Sequence, residues 1–191
     1  MHFERHAEPA WLISSPGTGG TTATLGRYVR YRRHATRVLC ADAERSVFFD
    51  CYRSGDRSLR LDCGSRIEGI GRPRVEASFL PAVIDAMVKV PDALSLAAMH
   101  YLARRLGRRV GGSSGTNLIG ALQAAQQMKA DGEAGSIVAI LCDSGERYAT
   151  TYYDQQWLKA QGYELEAVIE VVAGCVERGE ALPEAVLREG I

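Results

Sequence analysis

Apolar positions along the chain fall into short continuous runs that alternate with stretches of helical spacing. Residues 10–14 form an apolar run that stops at Ser15, Pro16 and Gly17, which predicts a buried strand running into a glycine turn. From Thr21 the spacing becomes helical: Leu25, Tyr28 and Val29 share a face while Arg27, Arg30 and Arg33 project elsewhere. Residues 37–41 form a second apolar run that ends at Asp42. Strand, glycine loop, helix and strand make a β-α-β unit, whose crossover requires parallel strands.

Beyond this unit, Gly55, Gly64, Gly69, Gly71, Pro73 and Pro81 interrupt every long period, and residues 45–91 read mostly as loops. Pro91 and Asp92 announce a helix that runs through Leu106 and is closed by Gly107. Gly111-Gly112-Ser113-Ser114-Gly115 leads into a further helix over residues 117–130. Residues 136–142 are an apolar run of strand length, turned at Asp143-Ser144-Gly145, and residues 152–161 and 165–178 read as two more helices. The alternation predicts an α/β fold, a three-layer αβα arrangement around a mostly parallel sheet. In the last helix Leu165, Val168, Ile169 and Val172 are spaced to cap the core or a dimer interface.

A chain of 191 residues suits one core. Its 23 basic and 23 acidic residues cancel, so no global field draws it to nucleic acid or to a membrane, and neither partner is expected. Arg27, Arg30, Arg32, Arg33 and Arg37, with Tyr28 and Tyr31 between them, read as a solvated face. No apolar run is long enough to span a bilayer. The five cysteines, Cys40, Cys51, Cys63, Cys142 and Cys175, show no C-x-x-C spacing, which favours reduced thiols and a cytoplasmic setting. The four histidines form no metal-ligand spacing, and no metal site is expected. Only three lysines occur, Lys89, Lys129 and Lys159.

The strongest chemical signal is Gly17-Thr18-Gly19-Gly20-Thr21 between a strand and a helix. Glycines let the backbone approach an anion closely, the helix N-terminus adds a positive partial charge, and the threonine hydroxyls can donate. A P-loop would need a lysine directly after the last glycine, and none precedes Lys89. A dinucleotide fingerprint fits at Gly17 and Gly19 but meets Thr22 in its third place, with Asp42 as the candidate ribose acid, so a Rossmann-type domain stays open.

The loop resembles the phosphate-binding loop of the cysteine synthase and cystathionine β-synthase family, the fold-type II pyridoxal-phosphate enzymes. Three further segments occur in that family's order: Ile67-Glu68-Gly69-Ile70-Gly71, Gly111-Gly112-Ser113-Ser114-Gly115, and Asp143-Ser144-Gly145-Glu146-Arg147-Tyr148. Within the family the nearest branch is the bacterial cysteine synthase-like proteins that include cysteine desulfhydrases. The resemblance implies pyridoxal 5'-phosphate as cofactor, with its phosphate held by Gly17, Thr18, Gly19, Gly20 and Thr21, its ring nitrogen hydrogen-bonded by Ser113, and Gly69 beside the ring. Taken without the resemblance, Ser113 and Ser114 read as N-caps of the helix that follows. It also implies that residues 1–163 are the larger, phosphate-binding domain of such an enzyme and residues 164–191 a helical tail. Asp143 and Cys142 receive no catalytic role.

The family's Schiff-base lysine and its serine-glycine-asparagine substrate loop have no counterpart in the sequence, and Lys89, Lys129 and Lys159 all stand in other contexts. The expectation is therefore an N-terminally truncated chain with no catalytic residue of its own, inactive and marginally stable alone. An amino-acid substrate, cysteine or O-acetylserine, would be handled by β-replacement or β-elimination only with the missing half, and the family's dimer is the assembly to expect. A catalytically inactive remnant or phosphate-ligand-binding module is the alternative of another class.

Overall fold

The structure, a computed structural model, describes residues 8–183. Strand β1 (Trp11–Ser14) is followed by helix α1 (Gly20–Arg32), β2 (Arg37–Ala43) and the short helix α2 (Phe48–Ser54). An irregular segment then leads through a 3-10 turn (Pro81–Val83) to β3 (Ala86–Val90), α3 (Asp92–Leu106) and α4 (Gly112–Ala130). The described residues continue through β4 (Ile137–Ala139), a 3-10 turn (Gly145–Tyr148), α5 (Gln155–Ala160) and α6 (Glu166–Arg178).

All four strands run parallel, in the order β3-β2-β1-β4, with Leu12 opposite Val38 on one side and Val138 on the other. β1 lies inside the sheet with both faces covered, so all four of its residues are buried, Trp11, Leu12 and Ile13 as an apolar run and Ser14 with its hydroxyl hydrogen-bonded to that of Thr22 at 2.8 Å. Trp11, Ile13, Leu39, Ala41, Val88 and Val90 point to one face and join the apolar residues of α3, α4 and α6 in one cluster. Cys40 and Met87 point to the other face and pack with Phe48, Phe49 and Phe79. The sheet is thus the middle of three layers, as its alternation of periods predicts. Ile169, Val172 and Cys175 of α6 belong to the same cluster as the sheet.

The helical layer is tight because α4 crosses α3 at Gly115. A Cβ there would lie 2.0 Å from the Ser95 carbonyl oxygen and 2.7 Å from the Met99 nitrogen, so only glycine admits this approach.

Several boundaries differ from those read in the sequence. The segment 45–91 holds α2 and the whole of β3, whose apolar run is interrupted by Lys89 and so carries no plain strand pattern. Lys89 is tolerated there because its ammonium lies 2.9 Å from Asp50 Oδ2 at the sheet edge. Helix α4 starts at Gly112 rather than at residue 117, since its glycines and serines disguise a first turn whose buried side lies against α3.

Candidate functional site

Along the sheet the chain moves outward from β1 to β2 and β3, then crosses back to place β4 on the opposite side of β1. The reversal opens a crevice at the carboxyl ends of β1 and β4, the place where open α/β sheets bind ligands. A cleft of about 290 Å³ lies there, lined by Ser15, Gly17, Thr21, Glu68, Gly69, Ile70, Ser113, Cys142, Asp143, Arg147 and Tyr148. Of the predicted residues, Gly17, Thr21, Gly69 and Ser113 meet on its lining. Thr18, Gly19 and Gly20 continue the same segment into α1 and are not part of the lining.

The glycine loop has a defined shape. Gly19 is the N-cap of α1 at φ 90°, and a Cβ there would lie 2.7 Å from Phe79 Cα, so both backbone conformation and space demand glycine. The Phe79 ring is fixed by stacking on Phe48 at 4.3 Å between centroids. Ser78 donates to the Thr18 carbonyl oxygen at 2.7 Å and Arg72 Nε to that of Gly17 at 3.1 Å. The first turn of α1 has no acidic residue and no side-chain cap, and the first N–H with an acceptor inside the helix is that of Ala23, bonded to Gly19 O at 2.8 Å. The N–H groups ahead of it are unmet by the helix and carry its positive end. Such a terminus is complementary to a phosphate.

Helix α4 brings a second N-terminus without side-chain cap or first-turn acid to the same crevice. Its two serines divide the work. Ser114 Oγ accepts the Cys142 N–H at 2.9 Å, tying α4 to the end of β4. Ser113 is 7% exposed, and its hydroxyl, on the cleft lining, has no hydrogen-bond partner among the described residues. Neither serine is an N-cap: Gly111 holds that position, and both lie inside the first turn. Asn117, one turn on, accepts from Ser15 Oγ at 2.6 Å and donates to Ile140 O at 2.8 Å, joining the ends of β1 and β4.

The loop carrying Gly69 is anchored from below. Asp92 accepts from Ser65 Oγ at 2.8 Å and from the Arg66 N–H at 3.0 Å, and burial raises its carboxyl above the ordinary value. Tyr152 donates to Arg66 O at 2.7 Å and accepts the Glu68 N–H at 2.8 Å. The two loops touch, since a Cβ on Gly17 would lie 2.6 Å from the Gly69 carbonyl oxygen.

The third wall follows β4. Tyr148 donates to Asp143 Oδ2 at 2.8 Å and stacks on Tyr152, with burial foremost and Asp143 next in holding its phenol protonated. Arg147 pairs with Glu68, so the residues after β4 and the Gly69 loop are joined by charge as well. Ser15, Glu68, Ile70, Cys142, Asp143, Arg147 and Tyr148 were not among the predicted site residues. The signal existed, because most of them sit in the quoted segments around Gly69 and after Cys142.

None of the three lysines lines the cleft: Lys89 pairs with Asp50, Lys129 lies in the last turn of α4, and Lys159 lies on α5. Asp42, the candidate ribose acid, is fully buried and accepts the Phe49 N–H at 2.9 Å and the Ala43 N–H at 3.1 Å. It holds α2 on the sheet and presents no oxygen to a ligand, and burial lifts its carboxyl to about 7. Among the described residues no group of histidine, cysteine, aspartate and glutamate could hold a metal ion, and no helix is long and apolar enough to cross a membrane.

Residues 1–143 match the family model for pyridoxal-phosphate dependent enzymes. The chain is 54% identical over 162 residues to L-cysteine desulfhydrase Cds1 of Mycobacterium tuberculosis, covering 85% of this chain and 44% of that protein. It is 26% identical over 181 residues to cysteine synthase of Dictyostelium discoideum, covering 86% and 47%. With cystathionine beta-synthase of Apis mellifera it shares 29% identity over 171 residues, covering 85% and 32%. The chain spans less than half the length of each of these relatives.

Proposed function

The chain belongs to the family of pyridoxal-phosphate dependent enzymes, and we propose that its part in such an enzyme is to anchor the cofactor phosphate and set the environment of the cofactor ring. The observation that carries the reading is the uncapped, acid-free N-terminus of α1, opening with Gly17 and Thr21 on a cleft that Ser113 and Gly69 also line. N–H groups of residues 17–21 would hold the phosphate, with the Thr18 and Thr21 hydroxyls as further donors. Ser113 would hydrogen-bond the ring nitrogen, and Gly69 would leave room for the ring.

When bound, pyridoxal phosphate draws electrons from the α-carbon of an amino acid joined to it. A neutral hydroxyl at the ring nitrogen does not compel protonation there, which moderates that pull and suits loss or exchange of a β-substituent. Cysteine or O-acetylserine is accordingly the substrate class we assign, in keeping with the names of the relatives. Turnover needs a lysine that covalently binds the cofactor and moves a proton. No lysine of this sequence lines the cleft, so we assign that role to a segment or partner outside it, and the chain alone to cofactor binding without turnover.

The test is a fluorescence titration of the chain with pyridoxal phosphate, pyridoxal and inorganic phosphate. Saturable binding of pyridoxal phosphate, displaced by inorganic phosphate and at least tenfold weaker for pyridoxal, is expected. Equal affinity for pyridoxal and its phosphate would overturn the assignment of the glycine loop.

A further inference from the structure

The cleft contains a thiol that the proposed cofactor chemistry does not use. Cys142 is exposed at the end of β4 and lines the cleft together with Ser15, Gly17 and Ser113. Its position is fixed: its N–H is held by Ser114 Oγ at 2.9 Å, and its sulfur lies 3.5 Å from Asn117 Nδ2 and 3.9 Å from Ile140 O. Through Asn117 the sulfur is linked to Ser15, which leads into the glycine loop. A second feature marks the same space as one that receives a ligand. Ser113, 7% exposed, lines that cleft, and its hydroxyl has no partner among the described residues.

The other thiols supply the contrast. Cys40, Cys51 and Cys175 are buried in the apolar clusters, and the exposed Cys63 lies on the loop before β3, outside the cleft lining. Accessible thiols are therefore of two kinds, one inside the cleft and one away from it.

We propose that Cys142 is a thiol-modification site whose mixed disulfide with a small disulfide such as that of glutathione closes the cleft to the cofactor. The Cys142 thiolate attacks one sulfur of the disulfide, the S–S bond of the reagent breaks, and a new S–S bond joins Cys142 to the sulfur attacked. The other half leaves as a thiolate and takes up the proton that Cys142 gave up, so the disulfide is the oxidant and nothing else is consumed. Its attached substituent then shares the cleft with the space assigned to the ring. This regulatory role rests on the cofactor reading of the cleft, while the exchange itself does not.

The full chain is incubated with glutathione disulfide, and the modified cysteines are mapped by mass spectrometry. Modification of Cys142 and Cys63, with Cys40, Cys51 and Cys175 untouched, is the expected result. In a Cys63→Ala background the oxidised chain should bind pyridoxal phosphate at least tenfold more weakly than the reduced chain, with recovery on adding dithiothreitol. In Cys142→Ala and Cys142→Ser the affinities before and after oxidant should agree. An unmodified Cys142 beside a modified Cys63 would overturn the proposal, and so would a modified Cys142 with unchanged cofactor affinity. If the reduced chain binds no pyridoxal phosphate, the cofactor reading and the closing role fall together, and the mapping still decides whether Cys142 exchanges.

Discussion

Replacing Ser113 and Ser114 one at a time by alanine separates a binding role from a structural one across adjacent positions. In Ser114→Ala the Cys142 N–H loses the acceptor it holds at 2.9 Å, and the link from α4 to the end of β4 goes with it. Losing one hydrogen bond and stranding a part-buried donor costs about 1–2 kcal/mol. In Ser113→Ala no bond among the described residues is lost, and alanine keeps the helix, so stability should move by less than ~0.5 kcal/mol. The binding effect is the reverse, because a hydroxyl bonded to the ring nitrogen is worth ~0.5–1.5 kcal/mol, or roughly 2–10-fold in affinity for pyridoxal phosphate. Affinity for inorganic phosphate, which has no ring, should stay unchanged in Ser113→Ala. Urea unfolding gives the stabilities and fluorescence titration the affinities. Equal destabilisation by the two changes would refute the division of roles, as would a Ser113→Ala chain that binds pyridoxal phosphate like the parent.

Burial raises the Asp42 carboxyl from the ordinary aspartate range to about 7, so it stays protonated in the folded chain while it is already ionised in the unfolded one. Its contribution is full below pH ~4 and is lost as pH rises towards ~7, an effect of order 2–4 kcal/mol, and Asp42→Asn should flatten urea midpoints measured across that window. Gly115→Ala would push a Cβ into the Ser95 carbonyl oxygen at 2.0 Å and should cost roughly 3 kcal/mol or more in urea unfolding, whereas Gly132→Ala, at φ 66° with open space around it, should cost only ~1–2 kcal/mol. Inorganic phosphate at 100 times its dissociation constant should stabilise the chain by about 2.7 kcal/mol, visible as a raised melting temperature that Gly19→Ala abolishes.

The layering of the fold was legible because buried parallel strands and amphipathic helices leave different periods, and the run over Trp11–Ser14 and the spacing over Asp92–Leu106 state theirs plainly. Strand β3 is hidden because its fourth residue is a lysine, which is accommodated by Asp50 and the Phe49 ring of another element, a pairing no local pattern records. The start of α4 was hidden because glycine and serine suggest a loop, while the demand that places them in a helix is the close crossing with α3 at Gly115. At the site, the glycine loop announced itself by composition. The segment after β4 was legible as a motif but not as a cleft wall, because Cys142, Asp143 and Tyr148 reach the cleft through a crossover of the sheet that becomes visible only when the strand order is known. Asp42 shows the opposite failure, since an acid at the end of a second strand fits a ribose contact by spacing and is excluded by its burial.

The central claim is that the crevice between the ends of β1 and β4 holds the cofactor by its phosphate. Its most direct test is an amide NMR titration of the labelled chain with pyridoxal phosphate, assigned residue by residue. Saturable shifts concentrated at residues 17–21, Gly69 and Ser113, with the subset at 17–21 reproduced by inorganic phosphate, are the predicted result. Shifts that centre on any other surface, or none at cofactor concentrations that saturate the fluorescence change, would contradict it.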